Sequence, residues 1–238
     1  MCFERWQGQR YSVSESQVQR FLHIYIHGAH RVYNVSNAQL TPIPNGFRSL
    51  NLNQTTPPQG PAGSASHVIF SEDGTQVLAT VKGIPGAGGF TGFMAVWNIS
   101  SDGTLSQNFN QIQVPAPGEL PFSMTIVPGQ NALLATDAAN GVDMIDLSPP
   151  GKTRPNVALN IPNQGATCWS ARSDKTGNFY VTDIKQSTVT EINVQSTPQA
   201  LNASIVKVGV FSVVLRKNDS IFFSLAIQRC ARLWDNRP

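Results

Sequence analysis

The feature of this sequence that most restricts its fold is a pattern of short strands that returns along the chain. Its clearest copy runs from His67 to Leu105: an apolar run, a Ser-Glu-Asp-Gly turn, a second apolar run, a glycine-rich loop and a third run. Short β-branched and aromatic runs separated by Asp-Gly turns are typical of antiparallel strands joined by tight loops. We therefore predict a meander of antiparallel strands in this region.

Two strands of this unit recur. The second strand, Ala79-Thr80-Val81, returns as Ala135-Thr136-Asp137 and Val181-Thr182-Asp183, with offsets of 56 and 46 residues. The third strand is an Asn or Asp between two apolar residues, and its copies are Tyr33-Asn34-Val35, Trp97-Asn98-Ile99, Ile145-Asp146-Leu147 and Ile192-Asn193-Val194. Four-stranded units of roughly 40 to 50 residues are typical of propeller blades. Because a sandwich lacks this regular return, we predict an all-β chain built as a β-propeller.

Composition agrees with one β domain and excludes several classes of function. The chain has 238 residues, of which 13% are charged, with 19 glycines and 16 prolines. Its net charge of +3 is not concentrated in a basic run, so we expect no nucleic-acid partner. No apolar run reaches the ~18 residues that a membrane-spanning helix needs, so we expect no membrane span.

Neither cysteines nor histidines predict a metal or a cofactor. The three cysteines, Cys2, Cys168 and Cys230, cannot all pair, and none has the Cys-x-x-Cys spacing of a zinc site. The histidines His23, His27 and His30 would share one face of a helix, which would suggest a metal site. Their neighbours favour strands and Gly28 would interrupt a helix, so strands are the better interpretation.

The two ends of the chain differ from the repeat. Residues 1–21 match none of the blades and have no apolar core or cleavage site of a secretory signal. Residues 22–208 carry the blades, and residues 209–238 diverge, with two apolar runs around 216–219 that predict a hairpin. Five Asn-x-Ser/Thr sequons, where composition would produce roughly two or three, hint at a secreted ancestry or are a chance excess; they begin at Asn34, Asn53, Asn98, Asn202 and Asn218.

The glycine-rich loop at 83–89 is not predicted to bind phosphate. It lacks the Gly-Lys-Ser/Thr ending of a phosphate-binding loop, and a strand follows it where such a loop would open a helix. A flexible loop between the second and third strands of a blade is the better interpretation.

Four stretches of the chain carry a resemblance to a known family. They are RSLNLNQTTPP, GPAGSASHVIFSEDG, LPFSMTIVPGQNALLATDAANG and GATCWSARSDKTGNFYVTDIKQSTVTEINV. Through them, the span from about Val32 to Val208 resembles fungal 3-carboxymuconate cyclase-like proteins of the seven-bladed β-propeller lactonase superfamily, which includes 6-phosphogluconolactonases. The resemblance implies a partial propeller, about three to four blades of a seven-bladed ring, truncated at both ends. It also implies an extracellular glycoprotein, because such proteins usually begin with a signal peptide.

The resemblance implies a lactonase or muconate cycloisomerase acting on small carboxylated lactone or muconate compounds. Muconate cyclases of this superfamily use a histidine at the start of an innermost strand, five residues before the turn serine. Here that position is Ser66, and His67 lies one residue further on. A displacement of one residue turns a strand side chain to the other face, so the catalytic histidine is not matched. We expect His67 to face a neighbouring blade, and whether the chain is an enzyme stays open.

Three side chains are candidates for a catalytic site on the residues alone. Lys82, Asp137 and Asp183 all follow equivalent second strands, so we expect them around one face of the propeller. One ammonium and two carboxylates could orient a polar substrate or act as acid and base. Alternatively, an aspartate beside a turn commonly accepts hydrogen bonds from backbone N–H groups. Arg48 and Arg172 could bind carboxylates, although no pattern places them in a site, and Trp97 and Trp169 are expected to pack between blades.

Two alternatives to catalysis remain. The first is a non-catalytic secreted propeller that binds a protein or glycan partner through its loops, which the unmatched histidine and the sequons favour. The second concerns the short chain itself, because three to four blades cannot close a seven-bladed ring. If each uncovered blade face exposes on the order of 400 Å² of apolar surface, the lost burial is ~10 kcal/mol per face, comparable to the stability of a domain. Self-association through those faces is therefore expected.

Overall fold

The chain is built of β-strands throughout the part that the structure describes. The structure is a computed structural model that describes residues 20–26, 29–36, 39–52, 62–86, 88–149 and 151–210, with side chains from residue 46 onward. The strands are β1 (Arg20–Ile26), β2 (Ala29–Ser36), β3 (Gln39–Ser49), β4 (Ala65–Phe70), β5 (Gln76–Val81), β6 (Phe93–Asn98), β7 (Asn110–Gln113), β8 (Pro121–Val127), β9 (Ala132–Asp137), β10 (Gly141–Asp146), β11 (Val157–Asn160), β12 (Thr167–Arg172), β13 (Phe179–Asp183), β14 (Thr188–Ser196) and β15 (Leu201–Val210).

These strands form four antiparallel meanders, which we number as blades in chain order. The first blade has three strands, β1 to β3, and the other three have four strands each: β4 to β7, β8 to β11 and β12 to β15. Strand β8 contacts both β4 and β12, so the first strands of the last three blades lie side by side. This arrangement confirms the predicted all-β fold, a partial β-propeller.

Several local predictions can be compared directly with the strands. The recurring second strands are β5, β9 and β13, and the recurring third strands of the last three blades are β6, β10 and β14. The predicted turn at Ser71–Gly74 is closed by a hydrogen bond from Gly74 N–H to the Ser71 carbonyl. The predicted C-terminal hairpin lies outside the described residues, as do the side chains of His23, His27 and His30. No helix long and apolar enough to cross a membrane occurs in the described part of the chain.

The middle strands are buried on both faces because each blade stacks on its neighbours. Every residue of β9 and β10 is buried, and β9 opens with a continuous apolar run, Ala132 to Ala135, where a half-exposed strand would alternate. One cluster, including Leu78, Met94, Leu133 and Ile145, fills the space between the second and third blades. A second cluster, which includes Leu134, Met144, Phe179, Ile192 and Leu201, fills the space between the third and fourth blades.

A β-bulge recurs in the first strand of each four-stranded blade. In each case two residues face a single threonine of the second strand, and the ladder resumes beyond them. The bulged pairs are Ser66-His67, Phe122-Ser123 and Cys168-Trp169, and the threonines opposite them are Thr80, Thr136 and Thr182. A bulge leaves a backbone group without a ladder partner. Here the threonine Oγ1 accepts the hydrogen bond from the second bulged N–H, at 3.1, 2.9 and 3.2 Å in the three blades.

The same threonine hydroxyls connect neighbouring blades. Thr80 Oγ1 donates to the carbonyl of Phe122 in the third blade at 2.9 Å. Thr136 Oγ1 donates in the same way to the carbonyl of Cys168 in the fourth blade. Each hydroxyl therefore accepts a hydrogen bond within its own blade and donates one to the next blade. This double use explains why threonine recurs at the same place in the repeated second strand.

Replacing Thr136 with valine should test this connection. The variant leaves the Ser123 N–H and the Cys168 carbonyl without their partner, so we expect a loss of about 2–3 kcal/mol in unfolding free energy. Thr182→Val is the matched control, because the Thr182 hydroxyl accepts from Trp169 N–H but makes only a 3.5 Å contact to the Trp169 carbonyl, within its own blade. For Thr182→Val we expect a loss of about 1 kcal/mol in unfolding free energy. Equal losses in urea unfolding would show that the contact between blades contributes nothing.

The first blade is attached to the second by Arg48. This side chain is buried, and its Nε donates to the carbonyl of Ser106 at 2.7 Å, while another guanidinium nitrogen donates to the carbonyl of Leu105. Leu50, just after β3, packs into the apolar core of the second blade. Arg48 therefore has a structural role in this fold.

Candidate functional site

The three predicted site residues lie at one end of the blades but not at one position of the repeat. Asp137 and Asp183 are the last residues of β9 and β13. The residue at the equivalent position of the second blade is Val81, the last residue of β5. Lys82 comes one residue later, where its N–H donates to the Ser64 carbonyl at 3.0 Å. Ile184 N–H makes the equivalent hydrogen bond in the fourth blade. Lys82 thus lies at the same end of the propeller as the two aspartates. It comes one residue after the end of its strand, whereas each aspartate is the last residue of its own strand.

The carboxylate of Asp183 organises the loops around it. It accepts hydrogen bonds from four backbone N–H groups, those of Gly165, Ala166, Lys185 and Gln186, at 2.6 to 3.1 Å. Burial alone would raise the pKa of Asp183, but these N–H donors outweigh burial and lower it. The carboxylate is therefore ionised and fully used as an acceptor of loop hydrogen bonds.

Asp137 is part of a buried pair of carboxyl groups. Its oxygens accept hydrogen bonds from Leu120 N–H, at 3.0 and 2.9 Å, and from Ala139 N–H at 2.7 Å. Its side chain also hydrogen-bonds to Asp143, which is fully buried in β10. Burial, followed by the charge of Asp137, raises the pKa of Asp143 to about 9. The pair therefore retains a proton at neutral pH.

The surroundings of Asp143 agree with a shared proton. Among the described residues, Asp143 Oδ2 has no donor, and a proton on one carboxyl group supplies the missing hydrogen bond. The Asn140 side-chain amide donates weakly to Asp143 Oδ1 at 3.4 Å. Gly118 covers the pair so closely that a Cβ there would lie 2.8 Å from Asp143 Oδ2 and 3.0 Å from Asp137 Oδ2. This packing excludes water and accounts for the strong effect of burial.

Lys82 is a buried ammonium that has no carboxylate partner among the residues that the structure describes. Its side chain is covered, with 6% of the residue exposed, and its Nζ lies 5.1 Å from the centroid of the Phe122 ring. No carboxylate of the described residues is within 4.0 Å of this nitrogen. Burial lowers the pKa of Lys82 to about 8, opposed by its electrostatic interaction with Cys168. Most Lys82 side chains are thus charged at pH 7, but the charge is costly to keep.

Cys168 belongs to the fourth blade and interacts electrostatically with Lys82 of the second blade. It is a half-buried free thiol in the bulge of β12, at the position that Phe122 holds in β8. Burial and the charge of Asp183 raise the pKa of this thiol, while Lys82 and a hydrogen bond from Ile184 N–H act in the opposite direction. Lys82, Phe122, Cys168 and Ile184 therefore bring three blades together at one end of the first strands; we call this group the Lys82 site.

Aromatic rings join the bulges beside this site. Trp169 contacts Phe122 edge-to-face at 5.1 Å between centroids and His67 at 5.8 Å. His67 Nδ1 accepts a hydrogen bond from Met124 N–H in the next blade at 3.0 Å, and burial lowers the pKa of His67 to about 4. His67 is therefore neutral and faces a neighbouring blade, as its displacement from the family pattern predicted. Trp169 likewise packs between blades.

Two contributors to this end of the propeller were not selected from the sequence. Asp143 has a detectable signal, because a charged residue between the apolar residues Val142 and Met144 of a predicted strand is rarely buried without a partner. Phe122 has none, since an apolar residue in a predicted strand is ordinary. Of the two arginines considered for carboxylate recognition, Arg48 bonds to backbone carbonyls, and Arg172 pairs with the exposed Asp174 at 2.8 Å.

Comparison with known proteins identifies solved structures with a similar fold. No family model matches the sequence, and no curated protein matches it. The periplasmic gluconolactonase of Pseudomonas aeruginosa is similar in structure, with a TM-score of 0.56 and 15% identity over 79% of this chain and 51% of that protein. A Bacteroides uniformis protein provisionally named a 6-phosphogluconolactonase has a TM-score of 0.54 and 14% identity, over 78% of this chain and 51% of that protein. A Lactobacillus plantarum protein has a TM-score of 0.55 and 12% identity, over 84% of this chain and 54% of that protein.

These similarities have two consequences. At such low identity they show a shared β-propeller fold and say nothing about shared chemistry. The chain spans about half the length of these proteins.

Proposed function

We propose that this chain is part of a propeller that acts as a lactonase or carboxymuconate cyclase on small carboxylated lactone or muconate compounds. In this proposal Lys82 binds the carboxylate of the substrate. The observation that carries it is the buried ammonium of Lys82, which has no counter-ion among the described residues. The lactonase-like fold and the resemblance of four sequence stretches to cyclase-like proteins support the reaction class.

The physical argument concerns the cost of burying a charge. A buried ammonium loses its hydration, and the ring face of Phe122 compensates only in part. A carboxylate bound at Nζ would restore a full partner, and the low polarity of the surroundings would strengthen the attraction. The same ammonium could stabilise the negative charge that develops on oxygen when a lactone ring opens or closes.

The two aspartates are proposed to have other roles. Asp183 and Asp137 accept backbone N–H groups with both oxygens, so little acceptor capacity remains for a substrate. They hold the loops on which the Lys82 site depends. Proton transfer by Asp137 would require breaking the hydrogen bonds to Leu120 and Ala139, which makes it a poor general base.

Lys82→Met should test this proposal. Because charge-assisted hydrogen bonds contribute about 1.5–3 kcal/mol, we expect kcat/KM for carboxylated lactones to fall about 10- to 100-fold. Lys152→Met, which removes an exposed lysine from the loop before β11, is the matched control and should leave activity unchanged. Since Lys82→Met removes an uncompensated charge, the variant should unfold at the same or a higher temperature. Full activity in Lys82→Met would exclude Lys82 as the carboxylate-binding group.

The pH dependence gives a second readout for the same residue. Only the charged form of Lys82 attracts a carboxylate, and its pKa of about 8 means that this form is lost as the pH rises through that value. We expect kcat/KM to fall about tenfold per pH unit above pH 8 and to be level below it. The Lys152→Met variant should keep this profile, whereas Lys82→Met should be level throughout. An unchanged wild-type profile between pH 7 and 10 would contradict the assignment.

A second candidate function is a non-catalytic propeller that binds a ligand or partner without turnover. The observation that favours it is the full use of Asp137 and Asp183 by backbone hydrogen bonds, together with the neutral, interblade position of His67. Binding of carboxylates without conversion of any lactone or muconate would support this candidate.

We also propose that the protein is extracellular and glycosylated, which the exposed sequon asparagines Asn98 and Asn202 favour. A mass shift on deglycosylation of the secreted protein tests this proposal.

A further inference from the structure

The glycine-rich loop beside Lys82 is held in a defined position. It joins β5 to β6, and the N–H groups of Gly83 and Gly92, at its two ends, both donate to the carbonyl of Glu119, at 2.9 and 3.0 Å. Ile84 N–H donates to the carbonyl of Phe90 at 2.8 Å, which pairs the two arms of the loop. A Cβ on Gly83 or Gly92 would collide with backbone oxygens, so only glycine permits this closed base.

Apolar side chains are exposed on this loop and on the corresponding loop of the fourth blade. Ile84, directly beyond Gly83, is 43% exposed, Phe90 is 37% exposed, and Ile184 is 52% exposed. All three lie in loops between second and third strands, at the end of the propeller where Lys82 emerges from β5. Ile184 holds the repeat position of Lys82, its N–H donates to the Ala166 carbonyl at 3.3 Å, and it acts on the pKa of the Cys168 thiol in the Lys82 site. Ile84 and Phe90 lie on the two paired arms of one loop, and exposed apolar side chains that lie together commonly mark a binding surface.

A cation and an apolar surface therefore occur together. Lys82 supplies a buried positive charge, and Ile84, two residues further on, begins an apolar surface that is open to solvent. A small hydrophilic anion would use only the first of these features. A ligand with an anionic head and an apolar arm would use both, because the arm removes apolar loop surface from water.

We propose that the ligand of the Lys82 site is an amphipathic carboxylate, whose carboxylate lies at Lys82 and whose apolar arm contacts Ile84 and Phe90. This inference rests on the anion-binding role of Lys82 in the proposed function, and it adds the class of substrate: carboxylates, including lactone acids, that carry an alkyl or aryl arm. The loop between β5 and β6 then determines specificity, and Lys82 determines charge selection.

The test is binding of a series of straight-chain carboxylates to the full chain. Acetate, butanoate, hexanoate and octanoate are titrated by calorimetry at pH 7, and affinity is expected to rise about two- to threefold per added methylene, since the loop buries each group only in part. Ile84→Ser and Phe90→Ser should flatten this rise while leaving the affinity for acetate unchanged. Val206→Ser, which removes an exposed apolar side chain from β15, is the matched control and should keep the rise. The corresponding alkanols should bind at least tenfold more weakly.

The outcomes separate this inference from the proposed function. Carboxylate binding with no dependence on chain length, or a dependence that survives Ile84→Ser and Phe90→Ser alike, overturns the amphipathic ligand but leaves an anion site at Lys82. Absence of binding by every carboxylate overturns both. Binding that grows with chain length, in a protein that converts no lactone or muconate, supports the inference and removes the catalytic proposal.

Discussion

Arg154→Met is expected to lower the unfolding free energy by about 3–5 kcal/mol, because it leaves a buried carboxylate without its partner. The Arg154 Nε and Nη2 donate to Asp146 Oδ1 at 2.8 and 2.5 Å, and both side chains are almost completely buried. The same guanidinium donates to Ser196 Oγ in the fourth blade at 2.6 Å and to the carbonyl of Gln130 in the third. One side chain therefore joins two blades through charge-assisted hydrogen bonds.

Arg172→Met is the control for this variant. Arg172 pairs with Asp174 at 2.8 Å, but Asp174 is fully exposed, and exposed pairs contribute about 0–1 kcal/mol. Urea unfolding monitored by tryptophan fluorescence gives both values. Adding Asp146→Asn to Arg154→Met should recover part of the loss, since it removes the charge that was left without a partner. Losses of similar size in Arg154→Met and Arg172→Met would mean that the buried contacts of Arg154, with Asp146 and with Ser196 of the fourth blade, contribute no more than an exposed ion pair.

Asp143→Asn is expected to stabilise the protein at alkaline pH. With a folded-state pKa of about 9 against an ordinary value of 3.8, Asp143 keeps a proton in the folded protein that the unfolded chain releases. The folded state thus binds more protons between those values, so the unfolding free energy falls as the pH rises from about 4 to about 9. Asparagine has no proton to lose. The gain at pH 9 should be on the order of a few kcal/mol, and it should vanish near pH 4.

Thermal unfolding at intervals between pH 4 and pH 9 measures this effect. The wild-type melting temperature should decline toward alkaline pH, and the Asp143→Asn curve should be flatter and meet the wild-type curve near pH 4. Asp174→Asn, which removes an exposed carboxylate, should run parallel to the wild type. A constant difference between Asp143→Asn and wild type at all pH values would show that the carboxyl pair of Asp137 and Asp143 does not hold a proton.

The strand order of the blades could be predicted from the sequence because it depends on local patterns. The returning Ala-Thr or Val-Thr pair marks β5, β9 and β13, and turn residues such as Gly74 separate the strands. The reason why threonine recurs in these strands, however, could not be read from the sequence. Thr80 and Thr136 recur because their hydroxyls close a bulge and bind the next blade, and both partners are backbone groups that no side-chain pattern reveals.

The candidate site was only partly accessible to the same reasoning. Lys82 was selected by its place after a second strand, but its lack of a counter-ion depends on which side chains the neighbouring blades bring near Nζ. The Asp137 and Asp143 carboxyls meet because β9 and β10 pair and because Gly118, from a different loop, covers them. The interpretation of Asp183 as an acceptor of loop N–H groups was one of two weighed from sequence, and its four backbone donors agree with it.

The threonine hydroxyls that connect the blades have a consequence for how such chains change over evolutionary time. Because Thr80 and Thr136 donate to the same position of the following blade, the junction of the second and third blades and that of the third and fourth blades share one hydrogen bond. A blade that is duplicated, deleted or exchanged as a whole therefore meets a neighbour already prepared to receive it. Architectures with uniform junctions between units gain and lose members more readily than those whose contacts are all different. At this one contact, the number of blades can change without a new hydrogen bond having to arise, whereas the contacts of Arg48 and Arg154 belong to single junctions.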